Sequence, residues 1–270
     1  MKDCEKHHDT QEYKRQLIDL LCRADKVLTE AGIEFFGVFG TCLGAIREHD
    51  IIPWDDDIDI AVRRRCFDDA VKILDQSDMQ IFVDSHGFRS ARIFNRVSSN
   101  DSLERKRAYI DLYVIDYAPE SKVVFFWKVM WYLGVSRILA RRKGVVGEAH
   151  PFAYFFVDML VYPLRLLPTR ILLRISELLY VYKKKSRFVK LSYDANRNRY
   201  LDVFFLSSKR VKFNRVTIPV PDEYDAYLTK TYGEWRIPPQ ECERVSHAFD
   251  ATGTVWNVAL PPDNDRKKRV

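Results

Sequence analysis

Four carboxylates fall within five residues at Asp55-Asp56-Asp57-Ile58-Asp59, and the apolar run Ile58–Val62 carries the chain onward. On an extended strand Asp55, Asp57 and Asp59 point the same way. Like charges side by side repel, and an apolar strand has little reason to carry them without a cation. A second signal lies downstream, where Asp111 is embedded in Tyr109-Ile110-Asp111-Leu112-Tyr113-Val114-Ile115-Asp116. An embedded carboxylate must be paired, hydrogen-bonded or on a metal. Two carboxylates at i, i+2 on one strand and a third from a neighbouring strand supply oxygen ligands for Mg2+ or Mn2+. Phosphoryl and nucleotidyl transfer need such a cation to offset charged oxygens. Asp57, Asp59 and Asp111 are therefore the candidate metal ligands and catalytic residues.

The phosphate side of such a site is sought just upstream, in Gly40-Thr41-Cys42-Leu43-Gly44. Gly40 and Gly44 allow close backbone approach, and amides at the start of a helix opening at Thr41 can receive an anion. Arg47, Arg92 and Arg96 are candidate phosphate clamps. Bland readings stand beside these. A lone D-x-D is common in solvated turns, so the metal reading leans on the Gly-Thr turn and on Asp111. Asp111 could instead cap a turn, and Arg47 could be a surface arginine. Isolated histidines are more often structural than catalytic. His247 is the hardest to dismiss, because it follows Tyr232-Gly233 and Pro238-Pro239. The chain has no G-x-G-x-x-G, Walker A or nucleophile-elbow pattern, which counts against dinucleotide, P-loop and esterase chemistry.

These residues need elements to hold them. Residues 1–9 read as a loose start. Leu17, Leu20, Leu21, Ala24, Val27 and Leu28 recur at helical spacing, predicting a helix from Thr10 or Gln11 to about Ala31, closed by Gly32. Ile33–Phe39 reads as the first strand. Cys42–Arg47 is a short helix capped by Thr41, and Ile58–Val62 the second strand. Asp55 is expected to turn the chain or to hold Arg47. Phe67–Leu74 reads as a helix whose start carries Arg63, Arg64 and Arg65. That end disfavours cations, so the arginines are expected to face solvent or a ligand. Gln80–Val83 and Ser90–Asn95 read as a hairpin around His86-Gly87, and Tyr109–Asp116 as a further strand. Lys122–Ala140, Phe152–Tyr162 and Leu164–Tyr182 read as helices broken at Pro163 and Pro168. Phe188–Tyr193 and Asp202–Phe205 are short returning elements, Val211–Val220 a strand or hairpin, and Asp222–Tyr232 a helix ended by Gly233.

Composition bounds the class. The chain of 270 residues, 47% hydrophobic and 30% charged, can bury a real core. The net charge of +6 is concentrated: residues 121–190 hold 14 Lys and Arg against 3 Asp and Glu, and the rest of the chain is net acidic. Apolar helices edged with basic residues fit a buried helical insert, an in-plane association with anionic lipid, or both. They do not fit the polar, phosphate-facing surface of a nucleic-acid binder, so no nucleic acid is expected as a partner. The five scattered cysteines have no metal-ligand spacing and read as reduced thiols. The charged first residues lack a secretory h-region, and no apolar stretch is long enough for an ordinary spanning helix. A cytoplasmic protein, peripheral at the inner face of the cell membrane, is expected.

Gly40-Thr41-Cys42-Leu43-Gly44-Ala45-Ile46-Arg47 and Ile52-Pro53-Trp54-Asp55-Asp56-Asp57-Ile58-Asp59-Ile60 together resemble the signature of the LicD family. These are phosphocholine transferases of lipopolysaccharide and teichoic acid, related to fukutin and the fukutin-related protein. Phe213, Ile218-Pro219, Tyr224-Asp225, Leu228, Tyr232-Gly233, Pro238-Pro239 and His247 are similar to that family's closing segment. The resemblance implies an α+β (α/β-like) fold with a nucleotidyltransferase (DNA polymerase beta-like) mixed-sheet core over residues 10–120. A helical, basic-apolar insert would follow at 121–190, then a returning segment at 191–250 and a mobile tail at 251–270. It implies Gly40-Thr41 as the phosphate turn, Asp57 and Asp59 as the metal pair and Asp111 as the third carboxylate, with Trp54 and His247 among the substrate-side residues. It implies a Mg2+ or Mn2+ cofactor, a CDP-activated small-alcohol donor, and a cell-surface glycan or its lipid-linked precursor as acceptor. Nucleotidyl transfer to a small acceptor, or a catalytically silent binding role, are the alternatives. Two departures stand out. Phe39 replaces the first glycine of the family's Gly-Gly-Thr turn, and Asn214 stands where Glu is common.

Overall fold

The computed structural model describes residues 2–83, 90–96, 107–142, 159, 161–192 and 198–241. It is a mixed α+β fold built on one mixed sheet. The first helix, α1 (Lys2–Glu30), starts well before the expected Thr10, since no Gly or Pro interrupts residues 2–10. Its apolar stripe, from Tyr13 through Leu17, Leu21 and Leu28, is buried in the main core. Gly32, at φ +67, closes it in the left-handed conformation.

The strands β1 (Phe35–Gly37), β2 (Ile58–Arg63), β3 (Met79–Val83), β4 (Ala91–Asn95) and β5 (Tyr109–Ala118) lie in the order β1-β2-β5-β4-β3. β2 and β5 run parallel in the middle, and β1 and β4 are antiparallel to them. Such a parallel pair is buried on both faces, and Ile58 through Val62 are all buried. The β3–β4 hairpin has the expected strands, while its His86-Gly87 turn lies outside the described residues. β6 (Phe188–Leu191) pairs with the far end of β5, and β7 (Tyr200–Leu201) pairs with β6. The segment Val211–Val220 is a hairpin, with β8 (Ser208–Phe213) against β9 (Val216–Pro221).

Several expectations change. The first strand is short because the chain turns at Phe39, which has φ 46, and helix α2 (Phe39–Arg47) begins there with Val38 as its N-cap. Thr41 is therefore inside the first turn and does not cap it. Helix α3 (Arg64–Gln76) starts at Arg64; Arg65 is exposed as expected, whereas Arg63 and Arg64 turn to carboxylates of the protein itself. Arg63 pairs with Asp202 at 2.6 Å, and Arg64 grips the nearly fully buried Asp116 through two nitrogens. Asp116 thus places an anion at the end of α3 where the helix dipole wants one. Helix α4 (Lys122–Arg142) is close to expectation. The break expected at Pro168 is present, with Pro168 as the N-cap of helix α5 (Thr169–Tyr180), whereas the chain runs through Pro163 in a 3-10 turn (Tyr162–Leu166). Most of the expected Phe152–Tyr162 helix, His247 and the 251–270 tail lie outside the described residues. Helix α6 (Tyr224–Tyr232) ends at Gly233, with φ 72, as its sequence predicts.

Candidate active site

The parallel register of β2 and β5 places Asp59 opposite Asp111. Partners in register share a face of the sheet, so the two carboxylates emerge side by side. Asp57, two residues before Asp59, has the same parity. Tyr109 and Tyr113 share the face of Asp111 on β5, and Tyr113 also hydrogen-bonds Asp59.

Helix α2 supplies the opposite support. The Asp59 amide donates to Thr41 Oγ1 at 2.7 Å, and the Val38 amide donates to the Asp59 carbonyl at 3.1 Å. The Phe39 amide donates to the Tyr227 hydroxyl at 3.0 Å, tying α2 to α6. Thr41 therefore acts on Asp59 from the first turn of α2. The two glycines do different work. A Cβ on Gly40 would stand 2.4 Å from Asp55 Oδ2, so Gly40 makes room for that carboxylate. A Cβ on Gly44 would stand 2.4 Å from the Asp50 carbonyl, so Gly44 lets the 48–53 loop pack on α2. Asp55 turns the chain, with its amide on the Ile52 carbonyl at 2.9 Å and its Oδ1 accepting from the Asp56 amide at 3.1 Å.

The electrostatics of the cluster are adverse without a counter-charge. Burial, then Asp55, pushes the Asp57 carboxyl up to about 8. Burial, then Asp57 and Asp111, raises Asp59 well above the usual carboxylate range. Burial also raises Asp111, opposed by Arg92, whose Nε donates to Asp111 Oδ1 at 3.0 Å. Arg92 stacks over Tyr109 at 4.9 Å and keeps 41% of its side chain exposed. Asp59 Oδ1 is buried with no hydrogen-bond partner. Such an orphaned acceptor among mutually repelling carboxylates fits a divalent cation better than it fits a proton-free, ion-free core. As the side chains stand, among the described residues no three His, Cys, Asp or Glu are gathered into a ready cation cage.

The structure does not bring all the candidate substrate residues together. Arg47 lies about 10 Å along α2 from Gly40. It pairs with Glu48 at 2.8 Å, donates to the Trp235 carbonyl at 2.8 Å and packs over Trp54 at 5.9 Å. Arg47 and Trp54 thus form a flank of the site. Arg96 points away from it altogether, donating to the carbonyls of Asp75, Ser77 and Met79 around the end of α3. It stands four positions after Arg92, just past the other end of β4. Asn214 adopts φ 54 in the β8–β9 turn and donates to Asp50 Oδ2 at 2.8 Å, away from the carboxylates. Asn tolerates that left-handed backbone better than Glu does.

Sequence reasoning missed the tyrosines and one lysine. Burial, then Tyr109 and the charges of Asp56, Asp57 and Asp111, raise the Tyr13 hydroxyl on α1. Burial and the charges of Asp59 and Asp55 do the same for Tyr232 on α6. Lys14 Nζ donates to the Ile52 and Pro53 carbonyls at 3.0 and 2.9 Å, holding the loop that delivers Asp55–Asp57. Tyr109 and Tyr113 were readable from their shared parity with Asp111; Tyr13 and Lys14 were not, because their role depends on where α1 docks.

Residues 32–137 match the family described as LicD/FKTN/FKRP, nucleotidyltransferase domain. By this match, that stretch is similar to the LicD-family nucleotidyltransferase domain. It spans β1 through most of α4 and contains Gly40, Thr41, Asp57, Asp59, Arg92 and Asp111. The stretch from Phe213 to His247 lies outside it. The family is one of transferases, which supports an enzymatic role for this chain. A comparison with curated proteins finds no match.

Proposed function

We propose that this protein is a metal-dependent transferase that moves a phospho-alcohol, such as phosphocholine, from a CDP-activated donor to a hydroxyl of a cell-surface glycan or its lipid-linked precursor. The observation that carries the reading is the side-by-side placement of Asp59 and Asp111, with Asp57 near enough that its charge raises Asp59, and Asp59 Oδ1 left without a hydrogen-bond donor. Asp57, Asp59 and Asp111 would hold Mg2+ or Mn2+. Such a cation supplies Lewis-acid charge to the donor's diphosphate.

The chain's own residues supply the rest. The first turn of α2 would offer backbone donors to phosphate oxygens once the Asp55 carboxylate that lies against Gly40 swings aside. Arg92 keeps Asp111 oriented and turns its remaining nitrogens toward the donor phosphate. Arg47, stacked on Trp54, borders the donor or acceptor at the flank. The acceptor hydroxyl oxygen forms a bond to the phosphorus that carries the alcohol. The bond from that phosphorus to the oxygen bridging it to CMP breaks, CMP leaves with the electron pair, and Asp111 takes the hydroxyl proton. Tyr13, Tyr109 and Tyr113 close the site against bulk water.

The test is CMP release from CDP-choline, CDP-glycerol and CDP-ribitol by the full chain with Mg2+ or Mn2+, comparing wild type with Asp59→Asn. Donor-dependent CMP release that the variant loses supports the reading, and undiminished turnover in the variant overturns the metal assignment. The matched domain's description as a nucleotidyltransferase favours one rival, transfer of a nucleotidyl group to a small acceptor. That route releases pyrophosphate from a nucleoside triphosphate and no CMP from CDP-alcohols.

A further inference from the structure

Helices α4 and α5 pack as an antiparallel pair around a small core of their own. Val135, Ile138, Leu139, Val161 and Leu172 form it, separate from the main core. The pairing is fixed by polar ties at both ends. Lys128 Nζ donates to the Leu178 and Leu179 carbonyls at 3.1 Å, and Arg142 donates to Thr169 Oγ1 at 3.0 Å. The insert is thus a built subdomain, but it does not bury its apolar surface. Val123, Phe126, Trp127, Tyr162 and Leu178 are more than half exposed, and Leu166 is 91% exposed.

What surrounds this surface is cationic. Segments 121–142 and 161–192 carry 13 Lys and Arg and a single acid, Glu177. On α5, Arg170, Ile171, Arg174 and Leu178 fall on one exposed stripe with Glu177, alternating charge and hydrocarbon. Lys183, Lys184 and Lys185 follow, all exposed. Large apolar side chains exposed in a cationic field match an anionic bilayer, where arginine and lysine stems lie in hydrocarbon while their heads reach phosphates. Among the described residues no helix is long and apolar enough to cross a membrane, so the fit is to the surface plane. The insert leaves the sheet from the end of β5 opposite Asp111, about 23 Å along the strand. A lipid-bound insert would therefore leave the carboxylates uncovered.

We propose that the α4–α5 pair lies in the interface of an anionic membrane. Phe126, Trp127, Tyr162 and Leu166 enter the headgroup–acyl boundary, and Arg170, Arg174 and Lys183–Lys185 meet the anionic headgroups. The proposal does not depend on which reaction the carboxylates perform.

Flotation of the full chain with two vesicle types tests it: phosphatidylcholine alone, and phosphatidylcholine mixed with phosphatidylglycerol. Binding to the mixture at low salt, falling as salt is raised, is expected. Each of Lys183→Ala, Lys184→Ala and Lys185→Ala should weaken it about fivefold. Phe126→Ser with Trp127→Ser should weaken it on the order of tenfold or more, with thermal stability unchanged because both side chains are exposed. Absence of flotation with the mixture at low salt overturns the proposal. So does equal flotation by the Phe126→Ser, Trp127→Ser variant, or light scattering that shows a dimer which this variant splits, since the face would then serve a second copy of the chain.

Discussion

Asp59 and Asp111 are register partners on adjacent parallel strands, and Arg92 is the register partner of Asp111 on its other side. One carboxylate of the pair is therefore balanced by a guanidinium and the other is not. The unbalanced one, Asp59, is fixed at its backbone by Thr41 and keeps a buried oxygen without a donor. Under the proposed function that asymmetry would divide the roles: Asp59 would take the cation, whereas Asp111, held by Arg92, would accept the proton.

The asymmetry predicts a crossed result for Asp59→Asn. Removing a buried charge among like charges should raise the melting temperature of the metal-free protein. With Mn2+ at about 100 times its Kd, wild type should gain about 2.7 kcal/mol, and the variant should lose most of that increment. Differential scanning calorimetry with and without Mn2+ reads both effects. A metal-induced shift retained by the variant would remove Asp59 from the ligand set.

Thr41 and the glycines of α2 give a second prediction. Thr41→Val leaves the buried Asp59 amide without its acceptor and should cost about 1–3 kcal/mol, while Thr41→Ser should recover most of it. Gly44→Ala collides with the backbone carbonyl of Asp50 and should cost about 1–3 kcal/mol. Gly40→Ala meets only the end of the Asp55 side chain, so it should cost less stability and show its effect in KM for the donor. Urea denaturation beside steady-state kinetics separates the two; equal stability losses would contradict the geometry.

Why part of the site was legible and part was not follows from range. Strand parity is local, so the shared parity of Asp57 and Asp59 could be read directly, and an Asp embedded in apolar residues announced Asp111. Adjacency of the two strands is expected only from the need for a third carboxylate beside Asp57 and Asp59, and the ladder shows it. Arg96 misled because sequence distance from Arg92 says nothing of which carbonyls lie at the strand's far end. Thr41 reads as a cap because its type suits one. The positive φ at Phe39, which starts the helix two residues earlier, has no signature in an aromatic side chain. Arg63 and Arg64 found carboxylates 139 and 52 residues away, pairings that no local pattern encodes.

The two arginines that looked equivalent in sequence should separate in kinetics. Arg92→Gln frees Asp111 and removes charge from the donor side, so kcat/KM should fall about 100-fold. Arg96→Gln leaves three carbonyls at the end of α3 without their donor and should lower stability by about 1–2 kcal/mol with kcat unchanged. A large loss of kcat with stable folding in Arg96→Gln would return it to the site.

A last prediction concerns pH and the junction between sheet and insert. Lys190 on β6 donates to the Tyr180 carbonyl at 2.6 Å and lies over the Tyr180 ring, and burial lowers its ammonium to about 7 despite the nearby Asp116. In the unfolded chain the same group holds its proton to about 10.5. Between those values the unfolded state binds more protons, so this group makes stability rise with pH. Its cost is complete below about pH 7 and gone above about 10.5. Lys190→Met, which keeps the stem without the charge, should remove that slope and stabilise the protein most at the acid end of the window. Thermal melts of wild type and variant from about pH 6.5 to 9.5 measure the difference. A constant offset across the range would mean that Lys190 does not lose its proton on folding, and that its contact with Tyr180 keeps it charged.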